Sequence, residues 1–297
     1  MKTKMKTCRE DKIFYAISGI ITTLLLFIVL YPLIYVVSSS FSSGSAVANG
    51  RVVLWPVDFS LEGYKAVFSN DDIITGYMNT IFYTVCGTFV NVCVTVIAAY
   101  PLSRKDLVGQ NFFAFLFSFT MLFSGGMIPN YLLMKDLHLL NTRWVMIIPG
   151  ALSVYNMLVV KTFFQSSIPG ELLEAAQIDG CSDAKYFFKI LLPLSKASIA
   201  VITLYYAVSH WNSYFNALMY LDDRTKIPLQ LVLREILVSN KISGEMIYDQ
   251  ELLEAKQNLS ELLKYSLIVV SSLPIICVYP FVQKYFVKGV MVGSVKG

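Results

Sequence analysis

Tyr205, Ser209, Asn212 and Asn216 recur at spacings of four, three and four residues, which sets them on one stripe of a helix. Trp211, Tyr214 and Phe215 stand on neighbouring faces. Hydroxyls, amides and rings in this pattern suit recognition rather than bond-breaking. Amides exchange hydrogen bonds with a neutral, hydroxyl-rich ligand, and rings cover its apolar faces. The same polar groups also bond membrane helices to one another, and the spacing is compatible with both uses. His210 lies in the same apolar stretch, where a bond to a neighbouring helix is its simplest use.

The parts of an enzyme are missing from the sequence. It contains no G-x-x-x-x-G-K-[ST] phosphate loop, so this chain is not expected to hydrolyse ATP. It has no H-E-x-x-H, and its two histidines, His138 and His210, stand far apart without a neighbouring nucleophile and acid. The five cysteines, at 8, 86, 93, 181 and 277, have no metal-ligand spacing and imply no disulfide framework. No cofactor is expected. A net charge of +4, spread along the chain, gives no reason to expect nucleic acid.

Long apolar runs must position the stripe. Of 297 residues, 56% are hydrophobic and 15% charged, and mean hydropathy is +0.60; soluble domains carry about 25% charged residues. A membrane-crossing helix needs about 20 apolar residues. The runs predict an all-α integral membrane protein with six spans near 13–37, 76–100, 110–134, 144–162, 197–221 and 264–284, within a membrane domain of 13–285. The basic tail 1–12 precedes an apolar run too long for a signal peptide, so an uncleaved first span is expected. Gly125-Gly126 and Pro129 are expected to break the third span toward its outer end, either as irregular backbone or as a proline kink. None of the runs holds an internal acid of the kind proton-coupled carriers use.

Basic residues set the orientation. With six spans both termini share a side, and that side holds 14 of the 24 Lys and Arg, while the other holds 13 of the 20 acids. Both termini, the C-terminal tail 286–297 and the loop 165–195 are therefore expected in the cytoplasm. The segment 222–263 is expected outside, with Pro228, Leu229, Val232, Leu233, Ile236 and Leu237 reading as a short amphipathic helix for the membrane surface or a partner.

The loop carries the most specific pattern. Pro169 suits a first helical turn, Glu171 and Glu174 suit its dipole, Gly180 suits a left-handed end, Ser182 suits the N-cap of a second helix, and Pro193 ends or kinks that second helix. Glu174-Ala175-Ala176, Gly180, Ile190 and Leu192-Pro193 stand in the order and spacing of the EAA loop, so the chain resembles the membrane subunits of ABC importers. The likeness extends to Gly125–Lys161, to W-N-S-Y-F-N-A-L at 211–218, to P-L-Q-L at 228–231 and to the C-terminal run from Tyr279. These look like the maltose-type carbohydrate permeases, in the branch for complex oligosaccharides.

The resemblance implies a type I importer permease in a bacterial cell membrane. It implies a second, related permease, two ATP-binding subunits, an extracytoplasmic solute-binding protein and a carbohydrate substrate. It assigns Glu174, Ala175, Ala176, Asp179, Gly180, Ile190, Leu192 and Pro193 to coupling with the ATPase. Tyr205, Ser209, Trp211, Asn212, Tyr214 and Asn216 are then candidates for the substrate path. A secondary sugar carrier would share the composition without needing the loop, and a membrane scaffold would not need the polar stripe.

Overall fold

A computed structural model of the chain describes residues 9–242, 258–278 and 280. The expected tail 1–12 up to residue 8, most of the outer stretch 240–260, the end of the sixth span and the tail 286–297 lie outside the described residues. No strand occurs among the described residues. The helices are α1 (Arg9–Ser40), α2 (Gly44–Ala48), α3 (Glu62–Phe68), α4 (Asp71–Ser103), α5 (Gln110–Leu122), α6 (Met127–Asp136), α7 (Val154–Ser167), α8 (Glu171–Ile178), α9 (Asp183–Tyr186), α10 (Leu192–Leu194), α11 (Lys196–Trp211), α12 (Phe215–Tyr220), α13 (Leu229–Ile242) and α14 (Asn258–Val278).

Among the described residues, three helices are long and apolar enough to cross a membrane: residues 10–40, 71–103 and 258–278. Two bent pairs raise the number to five if each counts as one span: α5 with α6, bent by 111°, and residues 183–194 with α11, bent by 80°. The helices α1 and α4 cover the first two expected spans, each extended by several residues.

The chain divides into two compact units. The first holds α1, α2, α3 and most of α14. The apolar window of α1 has no buried residue, and its side chains from Ile13 to Leu33 stand exposed. Its end is knotted rather than loose. Ser38, Ser39, Ser40 and Ser42 are all buried. Ser38 Oγ donates to Leu54 O at 2.6 Å, Ser42 Oγ donates to Ser38 O at 2.7 Å, and Ser40 Oγ meets Tyr64 OH at 2.8 Å. Serine hydroxyls thus satisfy carbonyls freed where the helix stops.

The second unit is built on α4, which packs along α7 and α11. Its core gathers Val96, Ala99 and Leu102 of α4, Met157, Val160 and Phe164 of α7, and Ile202 and Tyr206 of α11. Polar bonds fix the register. Thr95 Oγ1 and Tyr206 OH lie 2.6 Å apart, and the same phenol accepts the Ser153 N–H at 3.0 Å.

Three spans depart from the expected continuous helices. The third breaks at residues 123–126, where Gly126 sits at φ +92°, a backbone conformation that L side chains avoid. Pro129 lies inside the first turn of α6, where its ring is tolerated, so the glycine pair rather than a proline kink makes the break. The fourth, expected over 144–162, has a four-residue 3-10 turn at Arg143–Met146, then irregular backbone, and is α-helical only over Val154–Ser167. Apolarity there reflects burial: Val145, Met146 and Ile147 are nearly inaccessible. Asn91 Nδ2 of α4 donates to Gly150 O at 3.0 Å, which satisfies backbone that no helix satisfies. The fifth stops at Trp211 and resumes only at Phe215.

The amphipathic helix predicted after Pro228 is α13. Its first turns pack on α4 of the same chain, with Leu229, Leu231 and Val232 buried and Leu229 N–H donating to Thr80 Oγ1 at 2.9 Å. A neighbouring helix covers that part, rather than a membrane surface.

Candidate functional site

The loop between α7 and α11 folds as a capped helical hairpin. Gly170 O accepts the first amides of α8, from Leu173 at 3.0 Å and Glu174 at 3.2 Å. Pro169 falls two residues before α8 begins, outside the first turn in which it was expected. At the other end Gly180 N–H donates to Gln177 O at 3.0 Å and Cys181 N–H to Ala176 O at 2.9 Å. That pair is a Schellman motif. It needs Gly180 in the left-handed region, where it stands at φ +69°. Ser182 then caps α9, its Oγ accepting the Lys185 N–H at 3.4 Å.

Beyond α9 the chain widens into a π turn over Phe187–Leu191, which leads into Leu192–Leu194. The cause is Pro193, which has no N–H to give the carbonyl of Lys189 and whose ring would clash with it. The bend of 80° into α11 comes at once, at Ser195. Ser195 is buried, and its Oγ donates to Leu191 O at 2.7 Å.

The hairpin has an inner and an outer face. Ala176, at 6% exposure, joins the core of Phe164, Ile168, Tyr186, Phe187 and Leu191, with Ile190 and Leu192 packed at its edge. Glu174, Ala175, Asp179, Gly180 and Pro193 are exposed. The two alanines thus turn opposite ways: Ala176 lets α8 lie close on its own chain, and Ala175 is free for something else. Beside it Ile178 is 87% exposed, with Leu172 and Phe188 also uncovered. Sequence reasoning did not single out these three. The signal was present in Ile178, an apolar residue one turn after Glu174 on the polar side of α8.

The expected polar stripe of the fifth span survives in part. Tyr205 and Ser209 share an exposed face of α11, and Asn212 stands at its C-cap, where Nδ2 donates to Val208 O at 2.9 Å. Asn216 does not continue that helix, because residues 212–214 are not helical and it belongs to α12. Trp211 is buried against Tyr77, ring centroids 5.8 Å apart, so it packs α11 on α4 and faces no open path. Tyr214 is exposed, with the Arg234 guanidinium 6.0 Å from its ring centre. His210 is buried against Gly87, and its Nε2 has no partner among the described residues, so the expected interhelical bond at that atom is not made. Nearby, Thr84, Val85, Thr88, Phe89 and Val92 of α4 with Thr203 and Ala207 of α11 line a shallow groove of about 370 Å³.

At the opposite end of α4 a network unforeseen from sequence holds irregular backbone. Asn79 Nδ2 donates to Thr225 O at 2.8 Å and Ile227 O at 3.1 Å, and Tyr83 OH donates to Lys226 O at 2.7 Å. Lys226 Nζ donates to Asn141 O at 2.8 Å, and Asn141 Oδ1 accepts the Asp223 N–H at 3.1 Å. The Thr225 hydroxyl, the Lys226 ammonium and the Thr225 amide bring the Asp223 carboxyl down to about 2.

Known proteins are similar to this chain. Residues 11–292 match the family described as "Binding-protein-dependent transport system inner membrane component". The chain is 45% identical over 267 residues to the polygalacturonan/rhamnogalacturonan transport system permease protein YtcP of Bacillus subtilis (strain 168), covering 90% of this chain and 92% of that one. It is 42% identical over 273 residues to protein LplC of the same organism, covering 91% and 90%. Among solved structures, a chain of a bacterial ABC transporter involved in the import of the acidic polysaccharide alginate superposes with a TM-score of 0.86 at 38% identity, covering 95% of this chain and all of that one.

Proposed function

Because the chain belongs to the family of inner membrane components of binding-protein-dependent transport systems, we propose that it is a permease subunit of an ATP-driven importer of oligosaccharides released from polysaccharides. The names of its relatives, one for polygalacturonan and rhamnogalacturonan and one for alginate, support that substrate class. Its partners are a second, related permease, two ATPase subunits and an extracytoplasmic solute-binding protein.

The chain crosses the membrane six times. The three long helices, the bent pair α5 with α6, the short α7 with its irregular approach and α11 make up the crossings, with both termini and the 168–194 hairpin in the cytoplasm. The basic bias of that side supports the orientation. A cysteine replacing Lys185, in a cysteine-free background, is expected to resist a membrane-impermeant thiol reagent added outside, whereas one replacing Asn49 is expected to react. The reverse pattern would invert the topology.

The observation that carries the functional reading is the outer face of the hairpin. A short helix capped at its end sets Glu174, Ala175 and an 87%-exposed Ile178 side by side. Ala175 admits close approach, Ile178 supplies an apolar knob, and Glu174 supplies a carboxylate for a donor on the ATPase. Ile178→Asp is expected to weaken retention of the ATPase subunits by at least about tenfold, as a charge does in an apolar contact. Copurification at the wild-type ratio in both Ile178→Asp and Glu174→Ala would remove the docking role. The exposed face of Tyr205, Ser209 and Asn212 is read as this subunit's contribution to the oligosaccharide path. Asn212→Ala is expected to reduce uptake while leaving assembly unchanged, which uptake and subunit ratio in one preparation would check.

A further inference from the structure

The hairpin connects to the helices by two routes. The covalent route runs through the π turn and the 80° bend at Ser195 into α11. The second route is a side-chain connection to the last turns of α4. Tyr100 lies in the last turn of α4 and Arg104 directly follows its end at Ser103. The Tyr100 ring sits 5.1 Å from Phe187 and 6.4 Å from Tyr186, both just past the hairpin's second cap. Arg104 Nη1 donates to Asp183 Oδ1, the first residue of α9, at 2.7 Å and to Tyr100 OH at 2.9 Å. Its Nε donates to Asp106 Oδ1 at 2.8 Å and its Nη2 to Asp106 Oδ2.

The guanidinium is thereby held from three directions, with its side chain only 13% exposed between two carboxylates that are 64% and 68% exposed. An isolated surface ion pair contributes about 0–1 kcal/mol; a bidentate arginine shared between two carboxylates and a phenol adds geometric definition to whatever stability it gives. A planar fork with fixed donors transmits position, since α9 cannot shift without pulling on it. A lysine offers a single point of charge and cannot hold both carboxylates and the phenol in one geometry.

We propose that Arg104 is the joint that carries displacement of the hairpin into α4, acting as a positioning residue and not as part of the ATPase docking face. This rests on the coupling reading of the hairpin given above.

The complete importer, with both permeases, the ATPase subunits and the binding protein, is reconstituted in proteoliposomes, and sugar taken up per ATP hydrolysed is measured. Arg104→Gln and Asp183→Asn are each expected to lower that ratio roughly tenfold, within the usual span of coupling between sites. The double variant should be no worse than either single, because one connection is broken in all three. Arg104→Lys should fail to restore the ratio, and Arg51→Gln, which breaks the remote Arg51–Asp58 pair, should leave it unchanged. ATPase subunits should copurify at the wild-type ratio throughout. If Arg104→Gln fails to fold, Asp183→Asn, a change at an exposed carboxylate, carries the test alone. A wild-type ratio in these variants, losses that multiply in the double, or release of the ATPase would each overturn the joint. If Ile178→Asp and Glu174→Ala also keep the ATPase, the coupling reading itself falls. If they release it while Arg104 and Asp183 variants transport normally, only the joint falls.

Discussion

Two residues show how little room this packing leaves. A Cβ on Gly87 would lie 2.4 Å from His210 Nε2, well inside van der Waals contact. Gly87→Ala must therefore spread α4 and α11 or rotate the imidazole, at a cost of about 1–3 kcal/mol. A lowered melting temperature in detergent, partly restored by His210→Ser, is the expected outcome; an unchanged one would mean the contact is slack. Asp223 gives a pH signature. Its carboxyl, at about 2 in the folded chain against an ordinary 3.8, stabilises the fold fully above pH 3.8 and loses that contribution as pH falls through 2. The melting-temperature gap between the wild type and Asp223→Asn should be constant above about pH 4 and close on acidification toward pH 2. A gap that persists there would remove the assigned bonds.

At the scale of elements, the hairpin is held by backbone chemistry that single residues can undo. A valine at Gly180 would force a β-branched L-residue to φ +69°, a strain of about 1–2 kcal/mol or more. Gly180→Val is expected to leave the permease in the membrane and lower substrate-stimulated ATP hydrolysis; wild-type stimulation would make the hairpin a passive connector. Most of this element was legible in the sequence, because a glycine C′, a serine cap and a proline break are local signals. Which alanine faces the core was not legible, because burial of Ala176 depends on Phe164 and Phe187 arriving from other helices. That the fourth apolar run is not one continuous helix was not legible for a related reason. Apolar composition reports the solvent around residues 144–152 but not who satisfies their backbone, and Asn91 of α4 does that work for Gly150. The network around Asn79 was hidden because its partners lie 146 to 148 residues away.

For the whole molecule, an exposed, capped hairpin is joined to a set of apolar helices whose polar bonds fix their register. α1, with no buried residue in its apolar window, gives this chain little internal cohesion there, as suits a subunit whose surroundings are lipid and partner chains. ATP-driven oligosaccharide import through the complete assembly is tested most directly by loading proteoliposomes with ATP and magnesium, adding the binding protein outside, and measuring uptake of labelled oligosaccharides from polygalacturonan, rhamnogalacturonan and alginate. Uptake of at least one of them that requires internal ATP and external binding protein, and that falls in Ile178→Asp, is the predicted result. Uptake that proceeds equally without ATP or without the ATPase subunits would contradict ATP-driven import.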